Sequence, residues 1–290
     1  MQWQTSRFLI DLSTPKVMGI VNVTPDSFSD GGLHASRNAA MAHCERLVRD
    51  GADILDIGGE STRPGAQELP VDEELDRLLP VVRHAVTLGV PVSVDTYKPQ
   101  VMQAVLDLGA DIINDVWALR WSGDTKGQTG FDVLRQHRSC GVCLMHMHRN
   151  PQTMQAAPME GDVMPQVLSF LEQTTQILRG LGVDSARICV DPGIGFGKTV
   201  QQNFALLAQQ AALLPMGYAV LAGWSRKSSL AAVTERSLST VATLDIHDRM
   251  VPSVTAALLA VQNGAHVVRV HDVRETVQAL RVFSAMQQQC

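Results

Sequence analysis

The chain of 290 residues has few cysteines, little excess of either charge and no long apolar run near its N-terminus. Five cysteines in a chain of this length do not indicate the disulfide framework of a small secreted protein. A charged fraction of 18% is too low for a disordered protein, and the formal net charge of -5 gives no general attraction for nucleic acid or anionic lipid. An anionic ligand would therefore have to be held by cations and backbone donors placed at one site.

The segment Met1–Lys16 mixes Gln, Arg, Asp and Ser with apolar residues, so it lacks the continuous apolar core of a signal peptide or a membrane span. We expect a soluble, cytoplasmic protein that binds neither nucleic acid nor membrane. We interpret residues 1–16 as an N-terminal extension before the first strand. The sequence leaves open whether this extension forms a hairpin that closes one end of the domain.

Apolar residues make up 45% of the chain, which is enough for a sizeable core, and many lie in short β-branched runs. The runs are nearly continuous rather than alternating, which is typical of parallel strands covered on both faces. The predicted strands are Val17–Val21, Ile54–Ile57, Pro91–Val94, Asp111–Ile113, Val142–Met145, Arg187–Val190, Ala219–Ala222 and His266–Val270.

Amphipathic segments with helical spacing separate these runs. The predicted helices are Ala39–Arg49, Asp72–Leu88, Pro99–Leu108, Asp162–Gly180, Gln202–Leu213 and Pro252–Gln262. Several end on a glycine, after which an alanine and then a polar residue enter the next strand, as expected where a helix leads into a strand. This β-then-α order runs over residues 1–290 without a linker, so it predicts a single (β/α)8 TIM barrel, for which roughly 250 residues are typical. An open doubly wound sheet is the alternative, because periodicity alone does not show closure.

Polar or ionisable residues follow almost every predicted strand, whereas the opposite strand ends lack this concentration. They are Asn22, Glu60, Asp95, Asn114, Asp115, His146, Asp191, Ser225–Lys227, His271 and Asp272. In a TIM barrel the C-terminal strand ends form the active-site face. One such residue proves little, and Asp95 alone is equally consistent with capping the next helix. A ring of them predicts a functional site.

Two long polar loops leave the first two strands on this face. The first, Asn22–Gly32, exceeds the roughly two to six residues of an ordinary connection and carries Phe28 among small residues. We interpret it as a lid over a flat substrate, with a surface turn begun by Thr24–Asp26 as the alternative. The second, Gly58–Gly65, offers glycines, hydroxyls and Arg63 to a phosphate or carboxylate, although a structural turn explains it nearly as well.

Two other patterns resemble known sites but do not meet their requirements. Asp191–Thr199 is rich in glycine, but a Walker A phosphate loop needs glycine where this chain has Pro192. What remains is an aspartate at a strand end, followed by a loop that lets the backbone approach a ligand. The cysteines and histidines of Cys140–His148 are spaced like metal ligands, but strand alternation turns them to opposite faces. Ordinary buried cysteines are the preferred interpretation.

Cationic residues gather at the ends of the seventh and eighth strands. Ser225, Arg226 and Lys227 bring two cations and a hydroxyl to the seventh strand. Arg269 and His271 lie two residues apart on the eighth strand, so they face the same way. Beside the asparagine that begins the first loop, they predict an anion site with an associated divalent metal.

Long motifs along the chain resemble those of the dihydropteroate synthase family, from about Val17 to the last helix. The matching segments are Met18–Gly32, Asp56–Gly65, Ser93–Pro99, Ile112–Asp115, Leu144–Met147, Asp191–Lys198, Gly223–Lys227 and Arg269–Asp272. The chain departs from the family at Tyr97, where serine is common, and at Val116–Trp117, where an Ile–Arg pair is more usual. The resemblance implies a pterin-binding TIM barrel, a homodimer, that joins a dihydropterin pyrophosphate to p-aminobenzoate in folate synthesis.

The resemblance also implies a pterin pocket. Asp191 can accept two N–H bonds from the pyrimidine edge, Asn114 can donate and accept, and Lys227 can donate to the carbonyl oxygen. The pocket would be completed by Asp95, Met145 and Val116.

The same resemblance implies two further subsites. The pyrophosphate site would contain Asn22, Thr62, Arg269 and His271, with Mg2+ bridging Asn22 and phosphate oxygens. The p-aminobenzoate site would contain Phe28, Thr62, Arg63, Pro64, Phe196 and Ser225. The expected catalytic residues are Asn22, Arg63, Lys227, Arg269 and His271. The metal and the two strand-eight cations would stabilise the departing pyrophosphate, after which the neutral arylamine attacks without a strong general base.

Two other functions fit part of the pattern. A corrinoid-linked methyltransferase shares the Asp–Asn–Asp pocket, but it would not need Ser225–Lys227 or an anion site, and no cobalamin-binding module is present. A non-catalytic pterin-binding protein would not need Asn22, Arg63, Arg269 or His271. Release of pyrophosphate that depends on both p-aminobenzoate and Mg2+ distinguishes the synthase from both. Sulfonamide sensitivity does not follow from the sequence.

Overall fold

The computed structural model describes residues 1–23, 32–61, 67–121, 123, 127–235 and 245–289. After a hairpin of β1 (Gln2–Gln4) and β2 (Leu9–Asp11), eight parallel strands close into a barrel in the order in which they follow along the chain. They are β3 (Lys16–Asn22), β4 (Ile54–Gly58), β5 (Val92–Asp95), β6 (Ile112–Asp115), β7 (Gly141–Met145), β8 (Ile188–Asp191), β9 (Ala219–Ala222) and β10 (Val267–Val270). Because β10 pairs with β3, the sheet is closed. The predicted (β/α)8 TIM barrel is confirmed.

Helices pack around the barrel. They are α1 (Gly32–Arg49), α2 (Val71–Ala85), α3 (Pro99–Asp107), α4 (Gly130–Gln136), α5 (Val163–Gly180), α6 (Val200–Gln209), α7 (Ser228–Glu235), α8 (Met250–Gln262) and α9 (Val273–Gln287). In α2, acidic residues occupy the first turn and Arg83 the last, which suits the helix dipole. Its apolar stripe of Leu78, Val81 and Val82 is buried. In the part of the chain that the structure describes, no helix has the length and apolarity to span a bilayer.

All eight strands lie close to their predicted bounds, and the helices differ more. The predicted helix Gln202–Leu213 continues from α6 as a 3-10 helix, Gln210–Met216. The buried Gln210 side chain donates to the carbonyl of Ala260 in α8 at 2.8 Å, so a tertiary contact accompanies the change. The ranges of α4, α7 and α9 were not predicted. For α4 a local signal existed, since Thr129 and Asp132 form a capping box.

The N-terminal hairpin closes the base of the barrel, a point that the sequence left open. Trp3 is fully buried, and its indole N–H donates to the carbonyl of Arg187 at 3.0 Å. Trp3, Ile10 and Leu12 join the apolar side chains that fill the lower barrel interior. Those barrel residues are Met18, Ile54, Ile112, Cys143, Cys189, Ala219, Leu221 and Val267.

The upper barrel interior is polar instead. Side chains alternate along each strand, so the inward positions form layers across the barrel. The layer near the C-terminal strand ends contains Asp56, Asp95, Asn114, Asp191 and Arg269. The strand pairing therefore turns a set of polar residues from distant parts of the chain toward one face.

Candidate active site

Strand register brings the first predicted site residues side by side. Asn22 at the end of β3 lies opposite Gly58, Gly58 lies opposite Asp95, and Asp95 lies opposite Asn114. Gly58 carries no side chain between the two polar strand ends, and a Cβ added there would make ordinary van der Waals contact with that of Asp95, at 3.6 Å. Polar groups of three strands thus line one side of the barrel mouth.

An ion-pair network centred on Arg269 crosses this mouth. The Nε of Arg269 donates to Asp56 at 2.6 Å, and its Nη2 donates to Asp95 at 2.8 Å. Asn114 donates to the same Asp56 oxygen at 3.3 Å. Arg269 and His271 were predicted to share an anion site, but their partners among the described residues differ, since His271 meets Ser225. Arg269 is fixed by two aspartates of the neighbouring strands.

Asp56 is a site residue that the sequence analysis did not single out. It is 0% exposed, and its second oxygen, Oδ1, has no hydrogen-bond partner among the described residues. A signal was available, because Asp56 is a lone acid within the apolar strand β4. A buried acid in such a strand must meet a partner inside the barrel, here Arg269.

Two carboxylates of this layer, Asp95 and Asp191, have raised pKa values. Burial raises the pKa of Asp95 to about 7, and Asp56 and Asp115 add to the rise while Arg269 opposes it. Burial also raises the pKa of Asp191, against the backbone N–H of Gly193 and the charge of Lys227. Asp95 can therefore exchange a proton near neutral pH.

The turn after β8 joins Asp191 to the cation of the next strand end. The backbone N–H of Gly193 donates to Asp191 at 2.7 Å. Further along the turn, the Phe196 ring centroid lies 4.4 Å from the ammonium of Lys227. A cation at this distance from an aromatic face is attracted by the ring. The structure therefore places the predicted pterin residues Asp191 and Lys227 beside the predicted aminobenzoate residue Phe196.

The segment Ser225–Lys227 divides between two environments. The hydroxyl of Ser225 lies 2.9 Å from Nδ1 of His271 and accepts the backbone N–H of the same residue. Arg226 instead forms an ion pair with Asp272 at 2.7 Å. Of the two cations expected at this strand end, Arg226 is therefore held by Asp272, while Lys227 lies beside Phe196.

An apolar cluster forms one wall of the mouth. Its buried members are Tyr97, Val116, Met145, Met147, Met154 and Phe196, three of which were predicted site residues. Trp117 and Trp121 pack against it, with the Tyr97 ring 5.3 Å from that of Trp121. These aromatic residues border a cavity of about 210 Å³. The departures at Tyr97 and Trp117 thus lie together at the pocket edge.

Two buried lysines were not predicted as functional. Lys98 follows β5 and forms ion pairs with Glu60 and Glu74. Lys198 follows the turn after β8 and contacts Nδ1 of His146 at 2.9 Å. Both lysines lay inside motifs that carried the resemblance, but a motif does not say which of its side chains are buried.

The cysteines and histidines of Cys140–His148 lie in separate surroundings. Cys143 faces Cys189 across neighbouring strands inside the barrel. His146 contacts Lys198, and burial together with that cation lowers the pKa of His146 to about 2. Over the described ranges, no group of three or more His, Cys, Asp or Glu side chains could hold a metal ion.

Four predicted site residues lie outside the described part of the chain. They are Phe28, Thr62, Arg63 and Pro64. The other predicted residues all lie at the C-terminal strand ends or in the turns that follow them.

Known proteins are similar to this chain in both sequence and fold. A family model described as pterin binding enzyme matches residues 18–271. The dihydropteroate synthase of Neisseria meningitidis serogroup B is 44% identical over 98% of this chain and 97% of its own. The chain belongs to the dihydropteroate synthase family. Its enzyme class, a transferase, is that predicted from the motifs.

Solved structures of family members extend the likeness to ligand complexes. The Xanthomonas albilineans dihydropteroate synthase bound to 7,8-dihydropteroate has a TM-score of 0.85 and 44% identity, and 99% of each chain is covered. The enzyme of the same organism with 4-aminobenzoic acid has a TM-score of 0.86 and 48% identity, with 96% of this chain and 95% of that one covered. Both the predicted family and the predicted barrel are therefore confirmed.

Proposed function

We propose that the chain condenses 6-hydroxymethyl-7,8-dihydropterin pyrophosphate with p-aminobenzoate to give 7,8-dihydropteroate and pyrophosphate. The single observation that carries this proposal is the polar layer at the mouth, which contains Asp95, Asn114 and Asp191 and has Lys227 close enough to Asp191 to affect its pKa. Relatives of the same fold that bind dihydropteroate or 4-aminobenzoic acid support it.

The pterin would bind in the barrel mouth. Asp191 accepts the N–H donors of the pyrimidine edge, and Asn114 both donates and accepts. Lys227 donates to the pterin carbonyl oxygen and opposes the rise of the Asp191 pKa. Asp95 completes the polar pocket, while Met145 and Val116 from the buried cluster contact the flat ring.

The pyrophosphate would bind beside Arg269 and His271. Two nitrogens of Arg269 already hold Asp56 and Asp95, which fixes the plane of the guanidinium. Among the described residues, none accepts a hydrogen bond from its remaining nitrogen, Nη1. That donor can bind a phosphate oxygen without breaking either ion pair.

One oxygen ligand for a magnesium ion lies at the end of β3. Asn22 offers an amide oxygen there, and Mg2+ takes oxygen ligands, usually one or two from the protein and the rest from phosphate and water. We propose that Asn22 and the pyrophosphate would hold it. Bound there, the ion would neutralise charge on the leaving group.

In the reaction, the bond between the pterin methylene carbon and the pyrophosphate oxygen breaks, and its electron pair leaves with pyrophosphate. Arg269 and His271 stabilise that charge. The pocket carboxylates Asp95 and Asp191 stabilise the positive charge left on the pterin. The lone pair of the arylamine then forms the C–N bond, and the amine loses a proton to solvent.

The p-aminobenzoate would lie against Phe196, with Ser225 near its edge. The hydroxyl of Ser225 is oriented by His271 of the proposed pyrophosphate site, so the two subsites adjoin. We propose that Phe28, Thr62, Arg63 and Pro64 complete this subsite, with Arg63 taking part in catalysis and Thr62 also contacting the pyrophosphate.

A coupled assay of pyrophosphate release tests the proposal. Release should require dihydropterin pyrophosphate, p-aminobenzoate and Mg2+ together, and dihydropteroate should form in equal amount. Release without p-aminobenzoate would indicate hydrolysis and contradict the synthase. Full activity in the presence of a strong magnesium chelator would contradict the role of the metal alone.

We also propose a homodimer formed through α8 and α9. Helix α8 is apolar on nearly all sides, which is typical of a helix covered on two faces. Val251 on α8 is 67% exposed and Val282 on α9 is 72% exposed. Light scattering should give twice the 31.5 kDa of the chain, and Val282→Glu should shift the mass toward the monomer.

A further inference from the structure

Lys198 lies beneath the turn that follows β8, and its ammonium holds the turn by backbone oxygens. The side chain is buried, at 3% exposure. Its Nζ donates to the carbonyl oxygens of Gly193 at 2.7 Å and Phe196 at 3.2 Å. On the other side, it lies 2.9 Å from Nδ1 of His146 and 3.3 Å from the carbonyl of the same residue. One amine thus joins both ends of the turn to the end of β7.

The acceptors around Lys198 match the charged form of its amine. Three carbonyl oxygens, of Gly193, Phe196 and His146, lie around an amine whose protonated form has three N–H donors. Burial nevertheless lowers the pKa of Lys198 to about 7, with Asp191 opposing and Lys227 adding to the fall. Keeping a cation in such a place costs free energy, so an apolar side chain would be the better choice if packing were its only task.

The turn that Lys198 holds carries two proposed ligand contacts. Its Gly193 N–H orients the Asp191 carboxylate, and its Phe196 ring lies over Lys227. The backbone fits closely against β7, because a Cβ at Gly193, where φ is +71°, would lie 1.8 Å from the carbonyl oxygen of His146. Small displacements of this turn therefore change the position of the aromatic ring directly.

A second anchor joins the turn to the helix that begins after Lys227. Asn203 of α6 accepts the backbone N–H of Gly195 at 2.8 Å. Its amide donates to the hydroxyl of Ser229 in α7 at 2.9 Å. The turn and the start of α7 are thus held in one frame, and Lys198 supplies the contact on the barrel side.

We propose that Lys198 is a positioning residue for p-aminobenzoate, acting through Phe196. The ammonium holds the Gly193–Phe196 turn so that the Phe196 ring stays against Lys227 and forms a fixed wall for the arylamine. This inference rests on the proposed function, since it assigns a role within that aminobenzoate site. Lys198 itself lies behind the turn and touches no substrate in this arrangement.

A double-mutant cycle with Phe196 tests the inference. Lys198→Met should raise KM for p-aminobenzoate roughly 10- to 100-fold, the range expected for a misplacement of about 1 Å, with a smaller change in kcat. Phe196→Ala should raise the same KM. If Lys198 acts through the ring, the double variant will be little worse than Phe196→Ala alone. Lys198→Gln keeps two N–H donors and should recover part of the affinity for p-aminobenzoate. If Lys198→Met does not fold, Lys198→Gln takes its place in the cycle.

Arg187→Met is the matched control at the other end of the barrel. Arg187 is also a buried cation on backbone oxygens, donating to Cys140 at 2.8 Å and to His137 at 2.9 Å. Its replacement should lower Tm and leave KM for p-aminobenzoate unchanged. A purely structural Lys198 would behave in the same way.

The outcomes separate the two proposals. Absence of condensation in the unmodified protein would contradict the proposed function. An active protein in which Lys198→Met leaves KM unchanged, or acts equally with and without Phe196, would overturn the role of Lys198 while the proposed function stands.

Discussion

Two aspartates, one at each end of the barrel, are both 0% exposed, yet they are bound very differently. Asp111 at the base accepts four hydrogen bonds: three from the backbone and side chain of Arg7, and one from the backbone of Val92. Asp56 at the mouth accepts two on one oxygen, and its other oxygen has no partner among the described residues. At the lower end of the barrel, both oxygens of the buried carboxylate accept hydrogen bonds. At the mouth, one carboxylate oxygen accepts none from the described residues.

The difference separates a structural charge from one available for function. A buried acceptor without a partner costs roughly 1–3 kcal/mol, so it is a poor way to stabilise a fold. A fully paired acid such as Asp111 fixes the hairpin and offers nothing to a ligand. At the mouth, the Asp56 oxygen without a partner among the described residues lies in the same layer as Asp95 and Asp191, whose pKa values are raised by burial, and this is the arrangement expected of a functional site.

The largest expected effect is at the base. Trp3→Ala removes a fully buried indole from the apolar plug and should lower the free energy of unfolding by about 3–5 kcal/mol. Because Trp3 lies at the opposite end from the site, kcat/KM of the folded fraction should not change. Urea denaturation and steady-state assays at low temperature measure both. A fall in kcat/KM of the folded protein would show that the two ends are coupled.

The next effect is at the mouth. Asp191→Ala removes the acceptor of two pterin N–H groups, and hydrogen bonds to charged groups contribute about 1.5–3 kcal/mol each, so pterin affinity should fall about 100-fold or more. Calorimetry with the pterin alone measures it. Asp184→Ala is the control, since Asp184 caps a 3-10 turn at the base end of β8. Unchanged pterin affinity in Asp191→Ala would contradict the assignment.

Exchange of each buried aspartate for asparagine compares the two ends directly. Asp111→Asn turns an N–H donor toward donors of Arg7 or Val92 and should cost about 1–3 kcal/mol of stability, with kinetics unchanged. In Asp56→Asn the amide can occupy the side without a partner, so stability should fall less. Arg269 loses one ion pair, however, and kcat/KM should fall roughly tenfold. Equal changes in stability and in kcat/KM in the two variants would contradict the distinction between the two ends of the barrel.

The sequence predicted the strands and the functional face better than the side-chain contacts inside the barrel mouth. Near-continuous apolar runs and polar strand ends predicted parallel strands and a functional face from local pattern, whereas closure of the barrel is shown by the pairing of β10 with β3. The base hairpin was not predictable in the same way. Its stability depends on Trp3 meeting Arg187 and on Arg7 meeting Asp111, and such distant pairs leave no periodic signal.

The interior of the mouth shows the same limit. Arg269 was expected to bind an anion, and the structure shows that it also holds Asp56 and Asp95. That pairing depends on barrel closure, which brings the last strand against the first. Lys198 was part of a recognised motif, but its role beneath the turn depends on contacts with β7.

The smallest expected effect is a pH dependence of pterin affinity, to which the residues at the lower end of the barrel do not contribute. Burial raises the pKa of Asp95 to about 7, so this carboxylate of the proposed pterin pocket gains a proton as the pH falls through that value. Affinity should be constant above about pH 8 and fall by at most about tenfold per pH unit below pH 7.

The stability contribution of Asp95 has the opposite sign. Because the folded pKa is raised, the folded protein binds the proton more tightly than the unfolded chain. This contribution is fully present below the unfolded pKa of about 3.9 and is lost as the pH rises through about 7.

Asp95→Asn should weaken pterin binding at pH 8 and flatten the pH profile of pterin affinity. The measurement compares the variant with the parent protein on the same pterin, so that titration of the ligand cancels. An unchanged profile in Asp95→Asn would assign the proton to Asp191, whose pKa is also raised by burial.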